Sequence, residues 1–209
     1  MLIAESISKK INSRVILNNI SLKCESGIYC ISGINGVGKS IFLRILSGAL
    51  KPDSGTVKVD EMDLYLEGAL PRSRIGYSPE IPQLYEFMTV KEFLCFVASV
   101  KKCLVHEYMD ILGQLNMLDN INQYIETLSN GMKRKVILTA CLMGWPEHLI
   151  LDEPTNAMDK QAIGFLKEVL RSYQREGKVV IFTTHRQDFG VELSDELYTL
   201  ENGGLLKMS

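Results

Sequence analysis

Gly33-Ile34-Asn35-Gly36-Val37-Gly38-Lys39-Ser40, the string GINGVGKS, decides how this chain of 209 residues is read. It fits the pattern G-x-x-x-x-G-K-[ST], in which glycines let the backbone wrap phosphate groups. Several N–H groups and a helix N-terminus then face the negative charge. The flanks agree. The apolar run IYCIS at 28–32 reads as a strand entering the loop, and IFLRILSGAL at 41–50 reads as a helix leaving it, with Gly48 near its end and Pro52 beyond. In such a loop Lys39 supplies charge to the β- and γ-phosphates and the Ser40 hydroxyl is a Mg2+ ligand. A plain glycine-rich turn is the competing reading of the same string.

Outward from the loop, the N-terminal third reads as strands. VILNNISLKC at 15–24 is rich in β-branched residues, GTVKVD at 55–60 alternates like a half-buried strand, and RIGY at 74–77 forms another. The middle changes character. Thr89 is a good N-cap for VKEFLCFVASV, a second helix covers 107–116, and a third follows Ser129 (MKRKVILTACLMGW), basic and amphipathic, ending before Pro146. Strands return at HLILD (148–152) and KVVIFTT (178–184), separated by a helix over 160–175. Strands near 196–200 and 205–208 form a closing hairpin across Asn202-Gly203-Gly204. Apolar strands alternating with helices predict a mostly parallel sheet buried on both faces. The expected fold is α/β: a P-loop NTPase core with N-terminal antiparallel strands and an inserted helical subdomain. It forms a single domain over 1–209, with the α/β core at 1–88 and 147–209 and the helical subdomain at 89–146.

A second motif sharpens the chemistry. Leu149-Ile150-Leu151-Asp152-Glu153 is an apolar strand that delivers two carboxylates at its end. Beside a phosphate loop, Asp152 would hold Mg2+ through water and Glu153 would polarise an attacking water. Alone, the pair also fits helix N-terminal charges. Composition excludes several classes. Lys+Arg number 23 against 25 Asp+Glu, a net charge of −2 without a basic block, which speaks against a nucleic-acid partner held by phosphate neutralisation. No apolar run approaches the ~18 residues that span a bilayer. Glu5 interrupts MLIAESISKK where a signal peptide needs its apolar stretch. The five cysteines (Cys24, Cys30, Cys95, Cys103, Cys141) are scattered without a CxxC, as expected of idle thiols in a reducing cytosol, and His106, His148 and His185 lack metal-ligand spacing.

The order GINGVGKS, LSNGM (128–132), LILDEP, NAMD and TTH resembles the ATP-binding cassette (ABC) family over essentially the whole chain. LKPDSGTVKV, SRIGYSPEIPQLYEFMTVKEFL and LSNGMKRKV look most like ATPase subunits of exporters for peptides, antibiotics or other hydrophobic cargo. The resemblance implies ATP and Mg2+, with Gly33, Ile34, Asn35, Gly36, Val37, Gly38, Lys39 and Ser40 as the nucleotide-binding loop. It implies a signature at Ser129, Asn130, Gly131 and Met132 that contacts ATP held by the opposite subunit. Asp152 becomes the metal-side acid, Glu153 the water-polarising base, Asp159 the dimer-loop residue and His185 the γ-phosphate sensor. As isolated residues, Asp159 also reads as a helix N-cap and His185 as an ordinary strand-end histidine.

Three positions depart from the family pattern. Ile11 stands where an aromatic ring usually stacks on adenine, Glu80 where a glutamine usually helps hold Mg2+ or water, and Asn130 where the signature usually has glycine. The resemblance also implies a homodimer or cassette heterodimer when ATP is bound. It implies a separate transmembrane subunit seated on 81–88, between Ile81 and Met88, although that apolar stretch equally suits packing of the helical subdomain. The expected location is cytoplasmic, peripheral to the inner face of the cell membrane. Two other functions stay open: a soluble ABC ATPase not coupled to a membrane, and a nucleotide-dependent binding subunit with weak hydrolysis.

Overall fold

The computed structural model describes residues 1–67 and 69–208. Its strands, in chain order, are β1 (Leu2–Ile11), β2 (Arg14–Cys24), β3 (Gly27–Ser32), β4 (Ser54–Val59), β5 (Met62–Asp63), β6 (Ile75–Ser78), β7 (His148–Leu151), β8 (Val179–Thr183), β9 (Glu196–Glu201) and β10 (Gly204–Lys207). Its α-helices are α1 (Lys39–Leu46), α2 (Ala69–Ser73), α3 (Val90–Lys101), α4 (Val105–Gln114), α5 (Asn130–Leu142), α6 (Lys160–Arg175) and α7 (Gln187–Leu193). The strands form two sheets. One has the order β2-β1-β4-β5 and is antiparallel throughout; the other has the order β10-β9-β3-β8-β7-β6 and is parallel except for the β9–β10 hairpin. That hairpin turns on Asn202 and Gly203, both at positive φ (49° and 77°), the pairing that a two-residue turn of matching twist demands.

The period-2 alternation of strand side chains divides the interior into two cores. From β3, β7 and β8, Tyr29, Ile31, Ile150, Val179 and Ile181 face one side, where they meet Phe42, Leu43, Ile45 and Leu46 of α1 and the inner residues of β1, β2 and β4. Helix α1 is therefore sandwiched between the sheets. Ile28, Cys30, Leu149, Leu151, Val180 and Phe182 face the other side and share a continuous core with α3 to α7. At about 1.5–3 kcal/mol per buried aliphatic or aromatic side chain, both faces contribute heavily to stability.

Helix α5 departs from the sequence expectation. The spacing suggests a basic helix with a solvated face, but every residue from Arg134 through Leu142 is buried, both basic ones included. It also ends at Leu142, short of Trp145, because Gly144 and Trp145 take positive φ (76° and 43°). The ammonium of Lys101, at the end of α3, donates to the carbonyls of Ala140 (2.8 Å), Cys141 (3.0 Å) and Met143 (2.9 Å) and so closes the end of α5. Helix α1 begins at Lys39, two residues before the periodic pattern, because the loop's own lysine and serine form its first turn. Because β3, β6, β7 and β8 are parallel, their C-terminal ends share one edge of the sheet, where open α/β sheets present ligands.

Candidate functional site

The loop after β3 turns on three glycines at positive φ: Gly33 (144°), Gly36 (76°) and Gly38 (117°). A Cβ on Gly33 would lie 2.6 Å from the Leu200 carbonyl oxygen and one on Gly38 2.7 Å from Ile16 Cγ2, so these two positions exclude any larger residue. Gly38 serves as the N-cap of α1 without any side-chain hydrogen bond, which leaves the first N–H groups of that helix to other acceptors. Lys39 is 7% exposed, and its Nζ donates to the carbonyls of Gly33 (2.8 Å) and Ile34 (3.2 Å), which keeps the charge inside the curl of the loop.

The acidic pair sits just past β7, beside β8. Asp152 Oδ1 accepts from the Thr183 hydroxyl (2.6 Å), and the same hydroxyl oxygen accepts from Glu153 N–H (2.9 Å). Glu153 is a non-glycine residue in the left-handed region (φ 48°), a conformation costing about 1–2 kcal/mol that persists only where neighbours enforce it. Its Oε2 accepts from the backbone N–H of His185 at 3.1 Å. His185 Nε2 lies 3.1 Å from Oε1 but is not aligned for a hydrogen bond, so Oε1 is buried without a partner. Burial pushes the Glu153 carboxyl up, partly opposed by the His185 N–H and by the charges of His185 and Lys39. A carboxylate with one unsatisfied buried oxygen is an acceptor in want of a donor.

These groups line one cavity of about 470 Å3, formed by Ile11, Asn12, Arg14, Ile16, Asn35, Gly36, Gly38, Lys39, Ser40, Ile41, Glu80, Asp152, Glu153 and His185. That size suits a ligand of nucleotide scale. Ile11, Lys39, Ser40, Glu80, Asp152, Glu153 and His185, found at separate places in the sequence, are thus brought together. Ile34 is exposed and, with Gly33 and Val37, borders a neighbouring groove closed by the β9–β10 turn.

Ser129, Asn130, Gly131, Met132 and Asp159 lie outside the cavity. Ser129 caps α5, its hydroxyl accepting from Met132 N–H (3.3 Å), while Met132 packs on the core. A Cβ on Gly131 would stand 2.5 Å from the carbonyl oxygen of Ala157, itself at φ 58°, so α5 begins in direct contact with the loop leading to Asp159. Asp159 caps α6 through Ala162 N–H (2.8 Å) and pairs with Lys135 of α5 at 2.6 Å. The hydrogen bond from Lys135 and then that from the Ala162 N–H hold its carboxyl below the usual range. In segment 81–88, Leu84 and Met88 pack against the core, whereas Ile81, Tyr85 and Phe87 are exposed. The Tyr85 ring lies 5.9–6.3 Å from those of Phe87, Phe93 and Phe96.

Sequence reasoning missed Thr183, which holds both acids; Asn12 and Arg14, which border the cavity; and Arg134, buried beneath the acids. A threonine at the end of the strand KVVIFTT was the one available signal.

A family model described as ABC transporter matches residues 17–156. An uncharacterized ABC transporter ATP-binding protein, YybJ of Bacillus subtilis (strain 168), is 31% identical over 204 residues, covering 96% of this chain and 92% of that protein. The linearmycin resistance ATP-binding protein LnrL of the same organism is 31% identical over 212 residues, covering 99% of this chain and 68% of LnrL. Among solved structures, a dimeric ATP-binding cassette in a post-hydrolysis state bound to ADP and Pi superposes with a TM-score of 0.84 at 22% identity, covering 100% of this chain and 99% of that one, a likeness of fold.

Proposed function

The chain belongs to the ABC transporter family, and from that premise we propose that it is the ATP-binding and hydrolysing subunit of an exporter. It couples ATP-driven head-to-tail closure of two cassettes to transport through a separate membrane subunit. One observation carries this reading: a single cavity joins a glycine loop with its lysine to two acids, one of which has a buried oxygen without a partner.

Residues 33–40 and α1 hold the phosphates of ATP, Lys39 supplies the cation, and Ile11 gives the base an apolar floor. Ser40, Asp152 and Glu80 form a hard oxygen donor set that suits Mg2+, an ion that keeps waters and phosphate oxygens as its other ligands. Bound there, Mg2+ would screen the charge of the β- and γ-phosphates. Glu153 orients the attacking water and accepts its proton at a carboxylate oxygen, and His185 stands beside that oxygen toward the γ-phosphate. Ser129, Asn130, Gly131 and Met132 present the start of α5 to ATP on the opposite cassette, with Asp159 at the same interface. The 89–146 segment acts as a helical subdomain on the α/β core, and the exposed Ile81, Tyr85 and Phe87 receive the membrane subunit. No helix among the described residues is long and apolar enough to cross a membrane. The reading places the chain in the cytoplasm, peripheral to the inner face of the cell membrane, in a homodimer or cassette heterodimer with no nucleic-acid partner. The resistance role in the name of LnrL supports export.

Glu153→Gln tests both catalysis and closure. Phosphate release falls roughly 10²-fold or more while ATP still binds, and with Mg-ATP the variant sediments as a dimer. Adding Ser129→Arg returns it to monomer. Wild-type turnover in Glu153→Gln, or a dimer indifferent to Ser129→Arg, would overturn the assignment.

A further inference from the structure

The roles above leave one buried charge beneath the site without a task. Arg134, on α5 five residues after Ser129, is 2% exposed. Its Nη1 donates to the carbonyl of Pro79; its Nη2 donates to the carbonyl of Glu153 at 2.9 Å and, at a longer 3.4 Å, to that of Asp152. Pro79 immediately precedes Glu80 in the sequence. One guanidinium therefore reaches the backbone of two separate stretches, from which three cavity carboxylates project. Burial disfavours its charge, and the nearby Asp152, Glu80 and Glu153 favour it.

The contact with Glu153 falls on the strained residue. Its N–H is fixed to Thr183, and its carbonyl accepts from Arg134 and from Asn156 N–H (3.2 Å), so the left-handed backbone is pinned from both sides. A buried cation is costly to retain unless its hydrogen-bonding geometry is used. Here the planar fork is used across the junction of α5 with both catalytic segments. Lysine, a point charge on a flexible stem, does not reproduce that geometry.

We propose that Arg134 is a positioning residue for hydrolysis, clamping the backbone that presents Glu80, Asp152 and Glu153 to the helix that starts at Ser129. Movement of α5 on cassette closure is thereby passed to the carboxylate that orients water. The proposal rests on the assignment of Glu153 as that carboxylate.

The test uses the full chain and compares Arg134→Gln and Arg134→Lys with the unsubstituted protein and Glu153→Gln. Phosphate release is followed against Mg-ATP concentration, ATP binding by calorimetric titration, and folding by thermal melting. Arg134→Gln lowers kcat about tenfold or more, with KM and the ATP dissociation constant within about threefold; Arg134→Lys retains the charge and recovers only part of kcat. Lys101→Met is the control, since it removes a half-buried cation bonded to three carbonyls that does not line the cavity. It lowers the melting temperature and leaves kcat unchanged. Wild-type kcat in a folded Arg134→Gln protein, or equal losses of kcat and binding, overturns the proposal. Should Arg134→Gln not fold, wild-type kcat in Arg134→Lys does so. If Glu153→Gln itself turns over like wild type, the underlying assignment fails; if only the Arg134 variants do, this inference alone fails.

Discussion

Two helix N-termini carry the proposed chemistry, and they are built in opposite ways. Helix α1 starts at Gly38, with no side-chain cap, inside a cavity lined by the chain's own lysine, serine and acids. Helix α5 starts at Ser129, whose hydroxyl satisfies Met132 N–H, on a surface away from that cavity. Stripping one end to glycine opens its N–H groups to an anion, whereas capping the other keeps it satisfied alone. The contrast teaches that, on the proposed reading, one chain carries a phosphate cradle and a separate, self-contained surface for a second chain's ligand.

Lys39→Ala breaks the first end, with the largest effect. It removes the charge held within the loop, and hydrolysis falls to background, by about 10³-fold or more, in a protein that still melts cooperatively. Phosphate release and circular dichroism together check this; substantial turnover would move the cradle elsewhere. Gly131→Ala breaks the second end without touching the first. Its Cβ would stand 2.5 Å from the Ala157 oxygen, so α5 and the Asp159 loop must part. ATP binding to the isolated chain stays within about twofold, while turnover and Mg-ATP-dependent dimerisation drop about tenfold, measured by calorimetry and sedimentation. The smallest effect sharpens the base end of the cradle. Ile11→Tyr places a ring where the cavity has an aliphatic side chain and tightens ATP binding by about 1 kcal/mol. Unchanged or weaker binding would place Ile11 away from the base.

The glycine loop was legible because its determinants are local. Glycines, lysine and serine lie within eight consecutive positions, and the strand and helix around them carry their own periodicity. The parallel order of β3, β8 and β7 was legible in kind from apolar strands alternating with helices, although β1, β5, α2 and α7 were not. Bulges against β2 and β4 break the alternation of β1, while β5 has two residues and the helices five and seven, too short for a periodic signal. Arg134 was illegible for a different reason. In GMKRKV a run of basic residues reads as a solvated face, and only the packing of α5 between the sheet and α3–α4 shows that Arg134 and Lys135 point inward. Lys135 meets the Asp159 carboxylate as well as the Leu115 carbonyl, but the partners of Arg134 are all carbonyls many residues away, and a carbonyl has no sequence identity to read. Thr183 is similar: its bonds to the acidic pair span 30 and 31 positions.

The left-handed backbone of Glu153 has a consequence for how this protein can drift. Asparagine visits that conformation more readily than glutamate, so Glu153→Asn relaxes the residue and loses the carboxylate together. The backbone strain so relieved is set against a His185 N–H left without its carboxylate acceptor, and under the proposed role of Glu153 selection for turnover opposes the exchange. Backbone and side chain at this one position thus pull toward different residues, and the side chain's demand is the one the chain meets.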